Sequence, residues 1–222
     1  RGKRCYKRCF AVHCRGRRAR KDDKENRKVS FAMKVVAVNG SARRDGNTDI
    51  LIKRMFSKML DAGIETESVE LCENTIYPCF ACGGRENCVN TKDIFCSVLE
   101  KMKHADGIIL ASPVYSANVS ASMQALLERA AVVCDLNPGM LTHKVGASVA
   151  AARRGGALNA IDAMNHFFLN HEMYVVGSTY WNMGYGQMPG DVLKDEEALS
   201  NMDNLADNMI WILNKIKKEN EE

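Results

Sequence analysis

The chain has 222 residues, 46% of them hydrophobic and 26% charged, which is the make-up of an ordinary globular protein with one domain and a short appendage. No apolar run approaches the roughly 18 residues of a membrane-spanning helix, and the basic start is not followed by the apolar stretch of a signal peptide. The net charge of +4 conceals an asymmetry: residues 1–32 carry +10 and the remaining 190 carry −6.

Residues 1–32 are dense in like charge and show little apolar periodicity, so they are expected to form a basic, disordered extension. A nucleic-acid arm is the less favoured reading of the same charge. Met33 stands where the first strand begins and is the expected natural start, with 33–222 as the folded domain. Nine cysteines, an odd number without an export signal, point to a reducing, cytoplasmic setting.

From Met33 the chain alternates strand-like and helix-like segments. The run "KVVAV" reads as a strand buried on both faces. The stretch 48–62 places Ile50, Leu51, Met55, Met59 and Leu60 on a helical stripe that stops before Gly63. "TESVEL" alternates like a strand. A cysteine-rich loop follows, then a helix at 94–104.

"GIILAS" (107–112) is a second buried strand. A helix over 119–133 carries Met123, Leu126, Leu127 and Ala130 on one face. "VGASVAA" (145–151), a helix at 157–170 and "MYVVGS" (173–178) come next. An irregular stretch leads to a long amphipathic helix at 195–217. Five strands with intervening helices predict an α/β sandwich with a parallel sheet between two helical layers, and ligands at the carboxyl ends of its strands.

Three such ends carry the chemistry. The first is "NGSARRDGNTD". Its glycines permit tight turning, Asn47 or Thr48 is expected to cap the next helix, and that helix start favours an anion. Ser41, Asn47 and Thr48 add neutral donors, and Arg43 or Arg44 adds charge. The stretch has neither GxGxxG nor a P-loop lysine, which argues against a dinucleotide or a nucleoside triphosphate.

The second end is "SPVYSANVS". Pro113 fixes the turn, Val114 and Tyr115 offer apolar surface, and Ser116 and Asn118 offer polar contacts to a ring edge. The third is "ARRGGALNAI", where Arg153 and Arg154 supply charge and Gly155 and Gly156 let the backbone lie against a flat ligand. Together they predict a mononucleotide site, one loop for a phosphate and two for a flat, polar-edged ring.

With "NGSARRDGNT", "SPVYSANVSASMQALLER" and "YWNMGYGQMPGDVLKDEEALSNMDNLADNM" in this order, residues 33–222 resemble the NAD(P)H-dependent FMN reductases of the flavodoxin-like superfamily. The resemblance implies a five-stranded parallel sheet in the order 2-1-3-4-5. It implies FMN as cofactor, with NAD(P)H as reductant and a small electron acceptor. Ser41, Arg43, Asn47 and Thr48 would hold the FMN phosphate. Pro113, Val114, Tyr115, Ser116 and Asn118 would line the isoalloxazine, and Arg153 and Gly155 would lie near its other edge. It also implies a homodimer. No catalytic side chain is assigned, because the flavin carries the chemistry.

The run "PCFACGGRENCVNTKDIFC" spaces Cys79, Cys82, Cys88 and Cys96 as C-x2-C-x5-C-x7-C. Thiolates so spaced suit zinc or an iron–sulfur cluster. A dithiol or reversible disulfide of Cys79 and Cys82, and plain loop cysteines, stay open beside that. The region is similar to that of iron–sulfur flavoproteins, whose third cysteine position falls here on Arg85. A cluster is therefore not the favoured expectation and no metal is assigned. An electron carrier acting with a protein partner is the alternative function.

Overall fold

The computed structural model describes residues 33–82 and 88–221, so the expected extension at 1–32 lies outside the described residues. The elements in chain order are β1 (Lys34–Asn39), α1 (Asn47–Asp61), β2 (Glu65–Glu70), α2 (Phe95–His104), β3 (Gly107–Pro113), α3 (Ala121–Asp135), β4 (Val145–Ala152), α4 (Ala157–Asn170), β5 (Tyr174–Val175), β6 (Met183–Tyr185) and α5 (Glu196–Glu221). The sheet is parallel throughout, in the order β2-β1-β3-β4-β5 that the family resemblance implies, with β6 also paired to β4.

The β-branched runs explain the layering. Successive side chains of a strand point to opposite faces. Val36, Val38, Ile108 and Leu110 therefore meet α2, α3 and α4 on one face, through Phe95, Met102, Met123, Leu126 and Phe168. Val35, Ala37, Ile109, Val145 and Val149 meet α1 and α5 on the other, through Leu51, Met55, Met202, Leu205 and Met209. One residue of the expected α1 stripe departs from it: Leu60 is half exposed, while Ile52 is buried in its place.

The fifth strand differs from expectation. The predicted run 173–178 is cut to the two residues of β5, and the chain returns to β4 as β6. The last bond of the first piece runs from the Val176 amide to the Gly146 carbonyl. The hydroxyls of Ser178 and Thr179 then draw the chain aside, donating to the Tyr180 carbonyl and to Asn201 Oδ1. A local bond such as that of Ser178 competes with a ladder. The bond from the Ala150 amide to the Asn182 carbonyl brings the chain back.

An ion pair is buried beside the sheet. The Arg129 guanidinium of α3, 2% exposed, pairs with the fully buried Asp93 carboxylate and lies 4.0 Å over the Phe95 ring. Asp93 also accepts from the amides of Tyr77 and Phe95. Burial alone would push the Asp93 carboxyl up, but Arg129 and these two amides outweigh it and hold it below its ordinary value of 3.8.

Because the folded value is depressed, this pair stabilises the fold above the ordinary carboxylate range, and the contribution disappears as pH falls through the lowered value. Asp93→Asn is expected to cost about 3–5 kcal/mol near neutral pH, by leaving the guanidinium buried and unpaired. Urea unfolding near neutral pH and at about pH 3 checks this. The deficit of the variant should shrink at the acid end.

Candidate functional site

The carboxyl ends of β1, β3 and β4 open into one cleft of about 270 Å³. The first loop closes on itself: the Ser41 amide donates to Asn39 Oδ1, and the Arg43 amide donates to Ser41 Oγ. Gly46 is the N-cap of α1 and supplies no side-chain cap. The leading amides of a 15-residue helix thus remain donors facing the cleft, with the positive end of its dipole behind them.

Ser41, Arg43, Asn47 and Thr48 all line this cleft, and so do Pro113, Val114, Tyr115 and Arg153. The structure therefore brings together eight of the residues singled out from sequence, from three separate loops. Thr48 is 1% exposed, whereas Arg43 and Arg153 are exposed at the rim. Cationic and hydrogen-bonding groups gather at the α1 end. Apolar surface from Pro113, Val114 and Tyr115 lines the β3 side.

Two expectations change. Neither Asn47 nor Thr48 caps α1. Asn47 is its first residue, and its Oδ1 instead accepts from the amides of Gly190 and Val192, 3.0 and 3.3 Å away. Ser116 and Asn118 do not line the cleft. Ser116 (φ 49°) and Ala117 (φ 60°) form the tip of a two-residue turn closed by the Tyr115–Asn118 bridge, and Asn118 Oδ1 accepts from the Val119 amide.

Finally, the two glycines expected to lie against a flat ligand differ in their surroundings within the chain. Gly156 has φ 91°, and a Cβ there would stand 2.7 Å from the Ala117 Cα. A Cβ on Gly155 would meet open space.

The sequence reading missed a fourth wall, formed by Gly186 and Gln187 after β6. Arg43 Nη1 donates to the Gln187 carbonyl at 3.1 Å, which ties this wall to the first loop. A Cβ on Gly186 would lie 2.6 Å from Asn47 Nδ2 and 2.8 Å from the Val192 amide nitrogen, so only glycine fits. The signal was the Gly–Pro–Gly punctuation of "GYGQMPGD", which marks a tight loop but not its position.

The cysteines form a separate feature. Cys79, Cys82 and Cys88 line a cavity of about 30 Å³ with Phe80, Val89 and Val132. Cys96 does not line it. It sits on α2, half-buried against the core, where burial and then Cys88 push its thiol up. Among the described residues, no group of three or more His, Cys, Asp or Glu is placed to hold a metal ion.

Comparison with known proteins agrees with this architecture. The family model described as NADPH-dependent FMN reductase matches residues 33–187. An iron–sulfur flavoprotein of Methanocaldococcus jannaschii is 38% identical over 197 residues, covering 84% of this chain and all of the relative. A second, from Methanosarcina thermophila, is 31% identical over 84% of this chain and 98% of the relative. A crystal structure of RosB with bound 8-demethyl-8-formylriboflavin-5′-phosphate superposes with a TM-score of 0.68 at 18% identity, over 84% of this chain and 81% of that one. With its flavodoxin-like strand order, the chain belongs to the NADPH-dependent FMN reductase family and is an oxidoreductase whose cofactor is FMN.

Proposed function

We propose that the protein takes hydride from NAD(P)H and passes the electrons to a small acceptor: a quinone, a nitro or azo compound, a free flavin or a ferric complex. The observation that carries this is the polarity of the cleft at these strand ends, anion-binding at the start of α1 and apolar toward Pro113 and Tyr115. A molecule with a phosphate at one end and a flat ring at the other matches it, and FMN has that shape. When bound, FMN supplies the hydride- and electron-accepting chemistry.

The chain's own groups bind and orient. The uncapped α1 amides, the Ser41 and Thr48 hydroxyls and Arg43 would hold the phosphate. Val114 and Tyr115 would cover part of the ring, with Arg153 at its edge. Asn47 acts at one remove, holding residues 186–192 against the phosphate loop. No side chain is required to move a proton.

The reading takes residues 33–222 as the FMN-binding body, with 1–32 a basic extension outside it. It also includes a cytoplasmic setting and a homodimer, to which Met188 and Leu193, exposed beyond Gln187, would offer apolar surface. A second reading, an electron carrier acting with a protein partner, draws on the three thiols around one cavity and on the names of the relatives. Rapid oxidation of NADPH by the isolated protein with a quinone favours the enzyme. Oxidation only when a partner protein is supplied favours the carrier.

Two experiments test the main reading. The protein should show flavin absorption in the visible, as purified or after incubation with FMN, and NADPH should bleach it under anaerobic conditions. A protein that stays colourless after incubation with FMN contradicts the proposal.

Substitutions then test the walls of the cleft. Asn47→Ala leaves two loop amides without their acceptor, at about 1–3 kcal/mol. Gly186→Ala forces the same loop outward. Each should weaken FMN binding about tenfold or more, read by fluorescence titration. Gly155→Ala meets no protein atom at its Cβ, so a loss of affinity there would report close approach of the ring itself.

A further inference from the structure

Cys79, Cys82 and Cys88 line a cavity that shares no lining residue with the FMN cleft. Arg129 donates through Nη1 to the Tyr77 carbonyl (3.2 Å) and through Nη2 to the Asn90 carbonyl (2.8 Å). These carbonyls lie two residues before Cys79 and two residues after Cys88, so a single guanidinium of α3 pins both ends of the cysteine loop. The same Nη2 donates to Cys88 Sγ at 3.2 Å. Asp93, accepting from both Arg129 and the Tyr77 amide, locks the clamp in place.

The thiols differ in access. Cys88 is half-buried and held on the guanidinium. Cys82 is exposed and follows Ala81, whose φ is 48°. An accessible thiol and an anchored thiol on one cavity are the two parts a thiol–disulfide exchange centre needs.

We propose that Cys82 and Cys88 are such a pair, acting on low-molecular-weight disulfides. The Cys82 thiolate attacks one sulfur of the disulfide RSSR. The S–S bond breaks, a mixed disulfide forms on Cys82, and one RS⁻ leaves, taking up the proton that Cys82 released. Cys88, losing its own proton, then attacks the Cys82 sulfur and displaces the second RS⁻, which takes up that proton. Two electrons pass from the two protein thiols to the disulfide, leaving one S–S bond in the protein and two molecules of RSH. Arg129 is a positioning residue that holds Cys88 at the cavity. The exchange needs no flavin, so it stands or falls independently of the FMN reading.

The test treats the full chain with oxidised glutathione under anaerobic conditions, followed by acid quenching, alkylation and mass mapping of tryptic peptides. Cleavage after Arg85 separates the two cysteines, so a bond between them appears as two linked peptides. The expected product is a Cys82–Cys88 link, which still forms in Cys79→Ser and Cys96→Ser. Cys88→Ser should stop at a glutathione mixed disulfide on Cys82. Arg129→Lys should slow closure of the link about tenfold while leaving the first step on Cys82 unchanged.

A Cys79–Cys82 link, mixed disulfides that never close in the wild type, or thiols that react only after iron and sulfide are released would each overturn the proposal. Closure at an unchanged rate in Arg129→Lys would overturn the role given to Arg129.

Discussion

Parallel hydrogen bonding of β3 between β1 and β4 decides where everything else in this protein goes. Parallel strands need a crossover after each one, and the crossovers all leave from the same edge of the sheet. The register Val38 to Leu110 and Leu110 to Ser148 aligns the ends of the three strands, so the loops after Asn39, Pro113 and Ala152 emerge side by side. Wholly buried, apolar strands keep that register fixed from both faces. Three short polar loops, each unremarkable alone, thereby become walls of one cleft.

What the cleft can hold follows from its two ends. At the start of α1 the first amides have no side-chain partner, and Ser41, Arg43 and Thr48 surround them. Toward β3 the surface is proline, valine and tyrosine, held up by a turn whose two central residues sit in the left-handed region without being glycine. Such backbone costs about 1–3 kcal/mol per residue, and here Gly156 packs directly behind it. The fourth wall depends on long-range bonds instead. Asn47 and Arg43 reach across more than 140 residues of sequence to hold Gly190, Val192 and Gln187.

The contrast between these walls shows what the sequence made legible. Local signals carried the strands, the helices and the residues at strand ends, because apolar periodicity and glycine or proline punctuation act over a few residues. Ser41, Arg43, Tyr115 and Arg153 were visible for that reason. Asn47 was visible as a site residue but not in its bond to Gly190, since nothing near it names a partner so far along the chain. Gly155 and Gly156 are adjacent, and only the position of Ala117 shows which of them packs against the chain itself. The break between β5 and β6 went unread because Ser178 and Thr179, also at home in strands, here turn their hydroxyls on nearby groups. The Arg129 clamp was hidden too, as a charged residue on a helix reads as a solvated face until its depth is known.

The central claim is that the start of α1 grips a phosphate attached to a flat ring. Parallel titrations with FMN and with riboflavin, which has the same ring and no phosphate, test it most directly. Charge-assisted bonds to the α1 amides and Arg43 should make FMN bind at least about 100-fold more tightly than riboflavin. Equal affinities would mean that the loop after β1 does not hold a phosphate, and that the cleft has been read from the wrong end.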